Sequence, residues 1–494
     1  MNLFVMPRHK ISLIIVWLLL LVNLAGCAIF TVDTMKNEEL LPSAKVKATP
    51  AVQAITTDQL KDGIFVGIAM SGGGSRAANF TAAVLLHLER LGILQRATAL
   101  SSVSGSSLPA AYYGLYGVQK GPQWSELALR DQFQKDFEER WIWRWFLPWN
   151  IAEYWTSNFN RSDIMKEVLD NNLFHKMKFG NMDPSGPRIL INATNLADGN
   201  RFVFSQERFE KIKSRIDTYP VANAVMASSA FPGAFHDMTL TNYAVTKEGT
   251  YEHVIDGGPS DNLGVSTLLD MAASLYRQEQ KPKGCLLIVV DSYPYPQTPA
   301  HIHELDTRNA LDFIFDTNVA TSSDALLMGR RLDMMWETLN IDVRTEQSIT
   351  PFAENTGDDE IWPDPADDKL RAPCAVWHLS LQRLLAPDFG GDEVRNDEVQ
   401  RQTIKEVAAV VNQIPTRYKL KGQSADGKTD LGSQALQDYL FKAAEYVIYK
   451  DADKKKTYLQ RVCDWFTDKK VTDLNCTLAK GGDHADKEKA QSHR

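Results

Sequence analysis

Short apolar runs recur along the central part of the chain, and segments with helical periodicity separate them. The runs lie at residues 64–70, 97–103, 188–193, 251–255 and 286–290. Continuous apolar runs of this length are typical of strands that are buried on both faces. Between the first two runs, Phe80, Val84 and Leu88 follow the helical period. This alternation predicts an α/β fold with a mostly parallel central sheet that helices flank on both faces.

Amphipathic helical patterns dominate the C-terminal part of the chain. They cover residues 305–340, 394–413 and 432–449. Residues 477–494 are charged and lack large apolar groups, which is typical of disorder. We therefore predict one domain at 61–450, with its core at 64–295 and a C-terminal helical extension. A segment at 451–494 with a disordered tail follows it.

The N-terminus has the pattern of a secretory leader that ends at a cysteine. Two basic residues precede an apolar run at 11–22, which is short for a membrane span and suits a signal peptide. The following Leu-Ala-Gly-Cys sequence resembles the lipobox of bacterial lipoproteins, in which the cysteine is lipidated. We expect a signal peptide at 1–26, a lipid on Cys27 and a tether at 27–60. A plain signal peptide, or a membrane anchor with a chance cysteine, is the alternative.

The residue after Cys27 bears on the destination of such a lipoprotein. Lipoproteins that stay in the inner membrane more often have Asp there, whereas this chain has Ala28. The resemblance therefore implies attachment to the bacterial outer membrane, at its periplasmic face. Lipid chains give lasting attachment without a spanning helix.

Composition and charge exclude several classes of protein. Apolar residues make up 44% and charged residues 23% of the chain, as in ordinary globular proteins. The formal net charge of −8 disfavours a general nucleic-acid binder. The sequence has no Walker loop, no HExxH motif and no Cys/His spacing typical of zinc, so we expect no metal and no cofactor. It does not indicate a protein partner.

The remaining four cysteines divide into two pairs. Cys285 and Cys374 each lie in a strand-like apolar stretch, where we expect inert core thiols. Cys463 and Cys476 lie near the C-terminus. In an oxidising periplasm we expect these two to form a disulfide, and two unpaired thiols are the alternative.

Two glycine-framed turns, each between an apolar run and a helical segment, carry the strongest chemical signal. The first contains Gly72, Gly73 and Gly74, and the second is centred on Ser104. A glycine-rich strand–helix turn presents backbone N–H groups that can hold an oxyanion. A serine between small residues at a sharp strand–helix turn is typical of a nucleophile elbow. Together the two turns predict acyl transfer, with Ser104 as the nucleophile.

A third turn supplies a candidate proton acceptor. Asp256 directly follows the run at 251–255, and two glycines follow Asp256. In open parallel sheets, functional groups gather at the carboxyl ends of the strands. We therefore expect Asp256 to lie on the same sheet edge as Ser104 and the glycine turn. A strand-end Asp-Gly-Gly that serves only as a turn is the alternative.

The ordered motifs SGGGSR, SVSGSS and DGG resemble those of the patatin-like phospholipase family. The similarity runs from about residue 64 to residue 290, and the stretch at 227–233 also resembles a recurring family segment. The resemblance implies a Ser104–Asp256 dyad, an oxyanion hole at the triple glycine and hydrolysis of membrane phospholipids or lysophospholipids. A catalytically silent lipid-binding or scaffold protein with the same fold is the alternative.

The elbow departs from the usual Gly-x-Ser-x-Gly of the family. Ser102 and Ser106 stand where glycines are usual, although the related Gly-x-Ser-Gly-Ser form fits with one change. A rival frame makes Ser107 the nucleophile, but Pro109 then occupies the final glycine position. We therefore favour Ser104.

Three further features leave alternatives open. Arg76 follows the glycine turn and either steers a substrate phosphate, pairs with an acidic group or is a solvated helix residue. The tryptophan-rich stretch at 141–155 either faces a membrane or substrate, or packs into the core. His301 and His303 lie downstream of Asp256, where a conventional Ser-Asp-His triad would place its base, although solvated loop histidines fit better.

Overall fold

An eight-stranded sheet forms the centre of the protein. The computed structural model describes residues 37–41, 55–157, 159–245, 250–293, 327–339, 341–342, 347–348, 374–453 and 456–477. The strands are β1 (Ile64–Met70), β2 (Ala99–Val103), β3 (Arg188–Asn195), β4 (Arg201–Phe204), β5 (Met238–Thr241), β6 (Tyr251–Ile255), β7 (Gly284–Asp291) and β8 (Ala375–Ser380).

The sheet has a parallel part and an antiparallel edge. Its order is β8-β7-β1-β2-β3-β6-β5, and β4 pairs separately with β3. The five strands from β8 to β3 are parallel, whereas β4, β5 and β6 join by antiparallel pairing. The mostly parallel sheet that the sequence predicts is confirmed. The strand before Asp256 is, however, antiparallel to β3.

Fourteen labelled helices accompany the sheet in the described ranges. They are α1 (Gly74–Arg90), α2 (Ser107–Tyr112), α3 (Glu126–Phe133), α4 (Phe137–Trp145), α5 (Pro148–Thr156), α6 (Arg161–Leu169), α7 (Gln206–Lys211), α8 (Val221–Ser228), α9 (Gly258–Asp261), α10 (Val265–Tyr276), α11 (Gly391–Asn396), α12 (Glu398–Val411), α13 (Ser433–Tyr449) and α14 (Tyr458–Asp468). Helix α1 contacts both β7 and α13, so it is buried along most of its length.

Alternate residues of the central strands enter two separate hydrophobic cores. In β1, Val66, Ile68 and Met70 belong to the larger core, whereas Phe65 and Ala69 belong to the smaller one. Successive side chains of a strand point to opposite faces, so both faces of the sheet are covered. This burial on both faces is the physical reason why the sequence of β1 is apolar throughout rather than alternating.

Two disulfides cross-link the described chain. One joins Cys463 to Cys476, the pair that the sequence predicts. The other joins Cys285 to Cys374, so the expectation of two inert core thiols is wrong. Because Ala375 pairs with Leu286 in the β8–β7 ladder, the preceding residues also come together. Their separation of 89 residues hides this contact from local sequence patterns.

Contacts of the folded body extend beyond the predicted limits of 61–450. The strand Glu38–Glu39 pairs with Ser214–Arg215, and α14 contributes Leu459 and Phe466 to the larger core. The predicted signal peptide at 1–26, Cys27 and the predicted tail after residue 477 lie outside the described residues, as does most of the segment 305–340. Among the residues described, no helix has the length and apolar character needed to cross a bilayer.

Candidate active site

Ser104 lies at a strained junction between β2 and a helical turn. Its backbone φ is +50°, in the left-handed region that non-glycine residues seldom adopt. A 3₁₀ turn at Ser104–Ser106 leads directly into α2, and the Ser104 residue is 7% exposed. Strain of this kind persists where surrounding contacts enforce it, and it often marks functional sites. The geometry has the features of a nucleophile elbow.

Asp256 reaches the elbow from an antiparallel strand. Strand β3 continues past Asn192, its last pair with β2, and the end of β3 pairs with β6. The chain therefore returns toward β2 after Ile255. A Cβ on Gly257 would lie 2.4 Å from the Asn192 carbonyl oxygen, so this close approach requires glycine. The sequence-based placement of Asp256 beside the elbow holds, but through an antiparallel strand rather than a parallel one.

The Asp256 carboxyl is buried and poised to accept a proton. It is 2% exposed, and its Oδ1 accepts a 2.8 Å hydrogen bond from the Gly258 N–H. Burial raises the pKa of Asp256 to about 6, against the lowering effects of the Gly258 N–H and the Ser104 hydroxyl. Oδ2 has no well-formed hydrogen bond within the described residues. Oδ2 therefore can accept a hydrogen bond from a neighbouring hydroxyl, and such contacts are often loose before a ligand binds.

Ser228 links the elbow at Ser104 to the turn after Asp256 through hydrogen bonds. Its hydroxyl accepts a 2.8 Å hydrogen bond from the Ser104 N–H and donates a 2.6 Å bond to the Asn192 carbonyl. Its own carbonyl accepts from the Gly257 N–H at 3.2 Å. Sequence reasoning assigned Ser228 no role. Its only signal was its place in the segment 227–233 that resembles a family motif.

The three glycines of the first turn differ in what their N–H groups do. The Gly72 N–H donates to the Asn262 carbonyl at 3.1 Å, so Gly72 is not available as an oxyanion donor. Gly73 and Gly74 have φ values of +142° and +58°, and no hydrogen bond within the described residues occupies their N–H groups. The expected oxyanion hole is therefore reduced to Gly73 and Gly74.

The glycine turn packs against the elbow by direct backbone contact. A Cβ on Gly105 would lie 2.1 Å from the Gly74 carbonyl oxygen, a distance that only glycine avoids. A Cβ on Gly72 would lie 3.3 Å from the Ser104 Cβ. The two turns that the sequence singles out are thus in contact, and the Gly74 nitrogen would lie 2.7 Å from a Cβ on Gly105.

Arg76 is buried, so the expectation of a solvated helix residue is wrong. Its side chain is buried, and its Nε donates a 2.8 Å hydrogen bond to the Ser292 carbonyl. Its two terminal nitrogens donate to the Ile414 carbonyl and to the Thr416 hydroxyl. Arg76 therefore holds a distant segment of chain against the start of α1.

The rival nucleophile lies inside a helix. Ser107 is the first residue of α2, is fully buried and is 3.1 Å from the Ser228 hydroxyl. It lacks the positive φ that exposes an elbow side chain, whereas Ser104 has it. This geometry favours Ser104 as the nucleophile.

No histidine in the described ranges hydrogen-bonds to Ser104 or Asp256. His301 and His303 lie outside these ranges. His378, near the end of β8, is instead 3.1 Å from the buried Asp291 carboxylate, which Arg331 also binds. Within the described chain, moreover, no group of three or more His, Cys, Asp or Glu residues is arranged to hold a metal.

The tryptophan-rich stretch forms α4 and α5 and exposes most of its rings. Trp143 is 68% exposed, and Phe146, Trp149 and Trp155 are exposed to a similar extent. Trp141 instead packs inward. The exposure of these rings argues against the alternative in which this stretch packs into the core. We call the exposed Trp143, Phe146, Trp149 and Trp155 the aromatic patch.

Comparisons with known proteins were made for the sequence and for the fold. Among solved structures, human GIVD cytosolic phospholipase A2 matches with a TM-score of 0.41 and 14% identity, over 81% of this chain and 63% of that one. VipD from Legionella pneumophila matches with a TM-score of 0.23 and 13% identity, over 65% and 62%. The chain thus spans less than two thirds of the length of these neighbours. No curated protein sequence matches.

A family model matches the part of the chain that contains the site. The model of the patatin-like phospholipases covers residues 68–269, which include the glycine turn, the elbow and Asp256. The fold agrees, since a mostly parallel sheet with flanking helices carries these three turns. The chain therefore contains a patatin-like phospholipase domain at residues 68–269.

Proposed function

We propose that this protein is a serine hydrolase that cleaves acyl esters of phospholipids or lysophospholipids with a Ser104–Asp256 dyad. One observation carries the proposal. A serine at a strained elbow lies beside a buried carboxyl whose pKa is raised to about 6, and two unoccupied backbone amides adjoin it. Nucleophile, base and oxyanion donors are the three components that acyl transfer needs.

The chemistry would proceed through an acyl-enzyme. As the Ser104 oxygen attacks the ester carbonyl, the Asp256 carboxylate takes the Ser104 proton. The Gly73 and Gly74 amides hold the oxyanion, and Asp256 then returns the proton to the departing alcohol oxygen. A water molecule attacks the acyl-enzyme while Asp256 removes its proton, and transfer of that proton to Ser104 releases the fatty acid. Loss of one oxyanion donor typically raises such a barrier by about 3 kcal/mol.

We further propose that the enzyme works on the membrane to which it is attached. The expected lipid on Cys27 would place it at the outer membrane, at the periplasmic face, with phospholipids as neighbours. The aromatic patch supports contact with lipid, because tryptophan rings favour the headgroup level of a bilayer. Arg140 and Arg144 lie on the same helix as Trp143, although acidic residues accompany them.

Removal of the aromatic patch is expected to separate activity on membranes from activity on dissolved esters. A triple variant with Trp143→Ser, Trp149→Ser and Trp155→Ser would lose most hydrolysis of phospholipid vesicles, because it cannot bury these rings in the interface. It would keep turnover of a monomeric soluble ester within about twofold. Vesicle sedimentation and the two assays measure this. Val399→Ser is the control, since Val399 is an equally exposed apolar residue on α12.

Two results of that experiment would count against a lipid-facing patch. One is equal loss on vesicles and on the soluble ester, which would indicate damage to the fold or the site. The other is unchanged sedimentation with vesicles.

The dyad itself is tested with a fluorophosphonate that reacts with activated serines. We expect labelling of the soluble protein from residue 28, mapped by mass spectrometry to Ser104, and hydrolysis of phospholipids or lysophospholipids in a lipid panel. Ser104→Ala should abolish both, whereas Ser107→Ala, His301→Ala and His303→Ala should still label. The matched pair of serine variants separates the two possible elbows.

Other outcomes point to the alternatives. A wild-type protein that neither labels nor hydrolyses any lipid would be a catalytically silent member of the fold. Labelling at Ser107 would move the nucleophile by one helical turn. Loss of labelling in a histidine variant would indicate a triad.

A further inference from the structure

A tyrosine from the far end of the chain reaches the proposed dyad. The Tyr418 hydroxyl donates a long hydrogen bond of 3.5 Å to the Ser229 carbonyl, and the Ser104 side chain is near enough to lower the pKa of Tyr418. Burial, and then the charge of Asp256, raise the pKa of Tyr418 above its usual range. The hydroxyl therefore stays protonated at any physiological pH, and it is a permanent hydrogen-bond donor beside the nucleophile.

The start of α1 holds the segment that carries Tyr418. Ser75 donates its N–H to the Arg417 carbonyl at 2.7 Å, and the Arg76 guanidinium binds the Ile414 carbonyl and the Thr416 hydroxyl. Ser75 and Arg76 directly follow Gly74 in the chain. The glycine turn and the Tyr418 segment are therefore positioned by the same few residues, which explains the buried arginine.

The start of α4 holds Tyr418 from the other side. The N–H groups of Phe137 and Glu138 both donate to the Tyr418 carbonyl, at 3.1 and 3.2 Å. Two ion pairs flank this contact, Arg417 with Glu138 at 2.9 Å and Lys419 with Asp136 at 2.5 Å. These contacts fix the backbone of Tyr418 and leave its side chain directed at the site.

The ring of Tyr418 is also packed. It meets the Phe235 ring edge to face, with centroids 6.0 Å apart, and Phe235 in turn packs on Trp141 at 5.2 Å. With both backbone and ring held, the hydroxyl has little freedom beyond the choice between the Ser229 carbonyl and Ser104. A surface-loop tyrosine with only a packing role would not need a hydroxyl at this position.

We propose that Tyr418 is a third catalytic residue, which donates a hydrogen bond to the Ser104 oxygen. In the free enzyme this bond turns the Ser104 proton toward Asp256 Oδ2. As Asp256 removes the proton, the bond stabilises the negative charge that develops on the Ser104 oxygen. When the acyl-enzyme breaks down, the same bond stabilises the departing Ser104 oxygen. Tyr418 keeps its own proton throughout. The inference rests on the proposed function.

The test compares Tyr418→Phe with Tyr449→Phe. Phe keeps the ring contacts with Phe235 and removes only the hydroxyl. Tyr449 lies elsewhere, on α13, where its hydroxyl contacts His87 Nδ1 at 3.3 Å. We expect Tyr418→Phe to lower kcat by roughly 10²-fold, within the range for loss of a transition-state hydrogen bond, with KM changed less than twofold. The rate of fluorophosphonate labelling should fall by a similar factor. Tyr449→Phe should match wild type.

The pH profile distinguishes a catalytic role from a structural one. Because Asp256 remains the base, the loss of activity below about pH 6 should persist in Tyr418→Phe, with the melting temperature within about 2 °C of wild type. A lower melting temperature with a raised KM would show that Tyr418 is only structural, and would overturn the inference.

The proposed function and this inference fail in different ways. If wild type hydrolyses lipids and labels at Ser104 while Tyr418→Phe equals it in kcat, only the role of Tyr418 is wrong. If wild type shows neither activity nor labelling, the hydrolase assignment fails and the role of Tyr418 fails with it.

Discussion

Asp256→Asn is expected to lower turnover by about 10³-fold while making the protein more stable at neutral pH. Asn has nearly the same shape, and its oxygen can still accept from the Gly258 N–H. The Asn side chain cannot take the Ser104 proton. A general base typically raises the rate by a factor of about 10² to 10⁴. The gain in stability arises because Asn carries no charge into a site where Asp256 is only 2% exposed.

The sign of the stability effect depends on pH. Burial raises the pKa of Asp256 from an ordinary 3.8 to about 6 in the folded protein. Between these pH values Asp256 ionises in the unfolded chain but not in the folded one, so the stability of the fold falls as the pH rises. Above about pH 6 the full free-energy cost of ionising the buried carboxyl is present. A shift of about two units corresponds to about 3 kcal/mol. The gain from Asp256→Asn should therefore approach that value at pH 8 and vanish near pH 4.

Urea unfolding at pH 4 and pH 8, with initial rates across that range, measures both effects. Wild-type kcat/KM should fall as the pH drops through about 6, because the protonated carboxyl cannot act as a base. Ser104→Ala is the matched control: it is equally inactive, but it keeps the buried carboxyl and the pH-dependent loss of stability. Equal stability of wild type and Asp256→Asn at pH 8 would show that the carboxylate is solvated.

Gly105→Ala should disrupt the site by a backbone collision. The new Cβ would lie 2.1 Å from the Gly74 carbonyl oxygen, and neither backbone can yield without moving the oxyanion amides or the elbow. Overpacking of this kind costs about 1–3 kcal/mol of stability. Displacement of the amides should lower turnover by at least about 10²-fold. Lipid hydrolysis, labelling and thermal unfolding measure the outcome.

Gly432→Ala is the control for the added methyl group. No atom lies within 4 Å of a Cβ at Gly432, and its φ of −70° suits any residue. This variant should keep wild-type activity and stability. If Gly105→Ala behaves in the same way, the two turns are not in contact in solution.

The local elements of the core could be predicted closely from the sequence. The run at 64–70 coincides with β1, and the run at 251–255 coincides with β6. Helix α1 contains Phe80, Val84 and Leu88, whose helical spacing predicted it. Such features depend on the periodicity and turn chemistry of neighbouring residues, which the sequence displays directly.

The partners of the buried polar residues could not be predicted in this way. Arg76 contacts a carbonyl 338 positions away, and Ser104 contacts the Ser228 hydroxyl 124 positions away. Neither contact can be recognised from the neighbouring residues. The sequence around a serine or an arginine is the same whether the side chain lies on the surface or is buried and hydrogen-bonded. The expectations that Arg76 is a solvated helix residue and that Gly72 holds the oxyanion were wrong for this reason.

The order of the three motifs and the alternation of strands and helices determined the resemblance to the patatin-like phospholipases, the α/β architecture and the candidate dyad, because each depends on residues close together in the chain. Only the tertiary structure decided that Asp256 arrives on an antiparallel strand, that Cys285 meets Cys374 and that the Tyr418 hydroxyl reaches the Ser229 carbonyl. These contacts join segments far apart in sequence, and the packing of the whole sheet and its helices, rather than any local preference, sets which of them form.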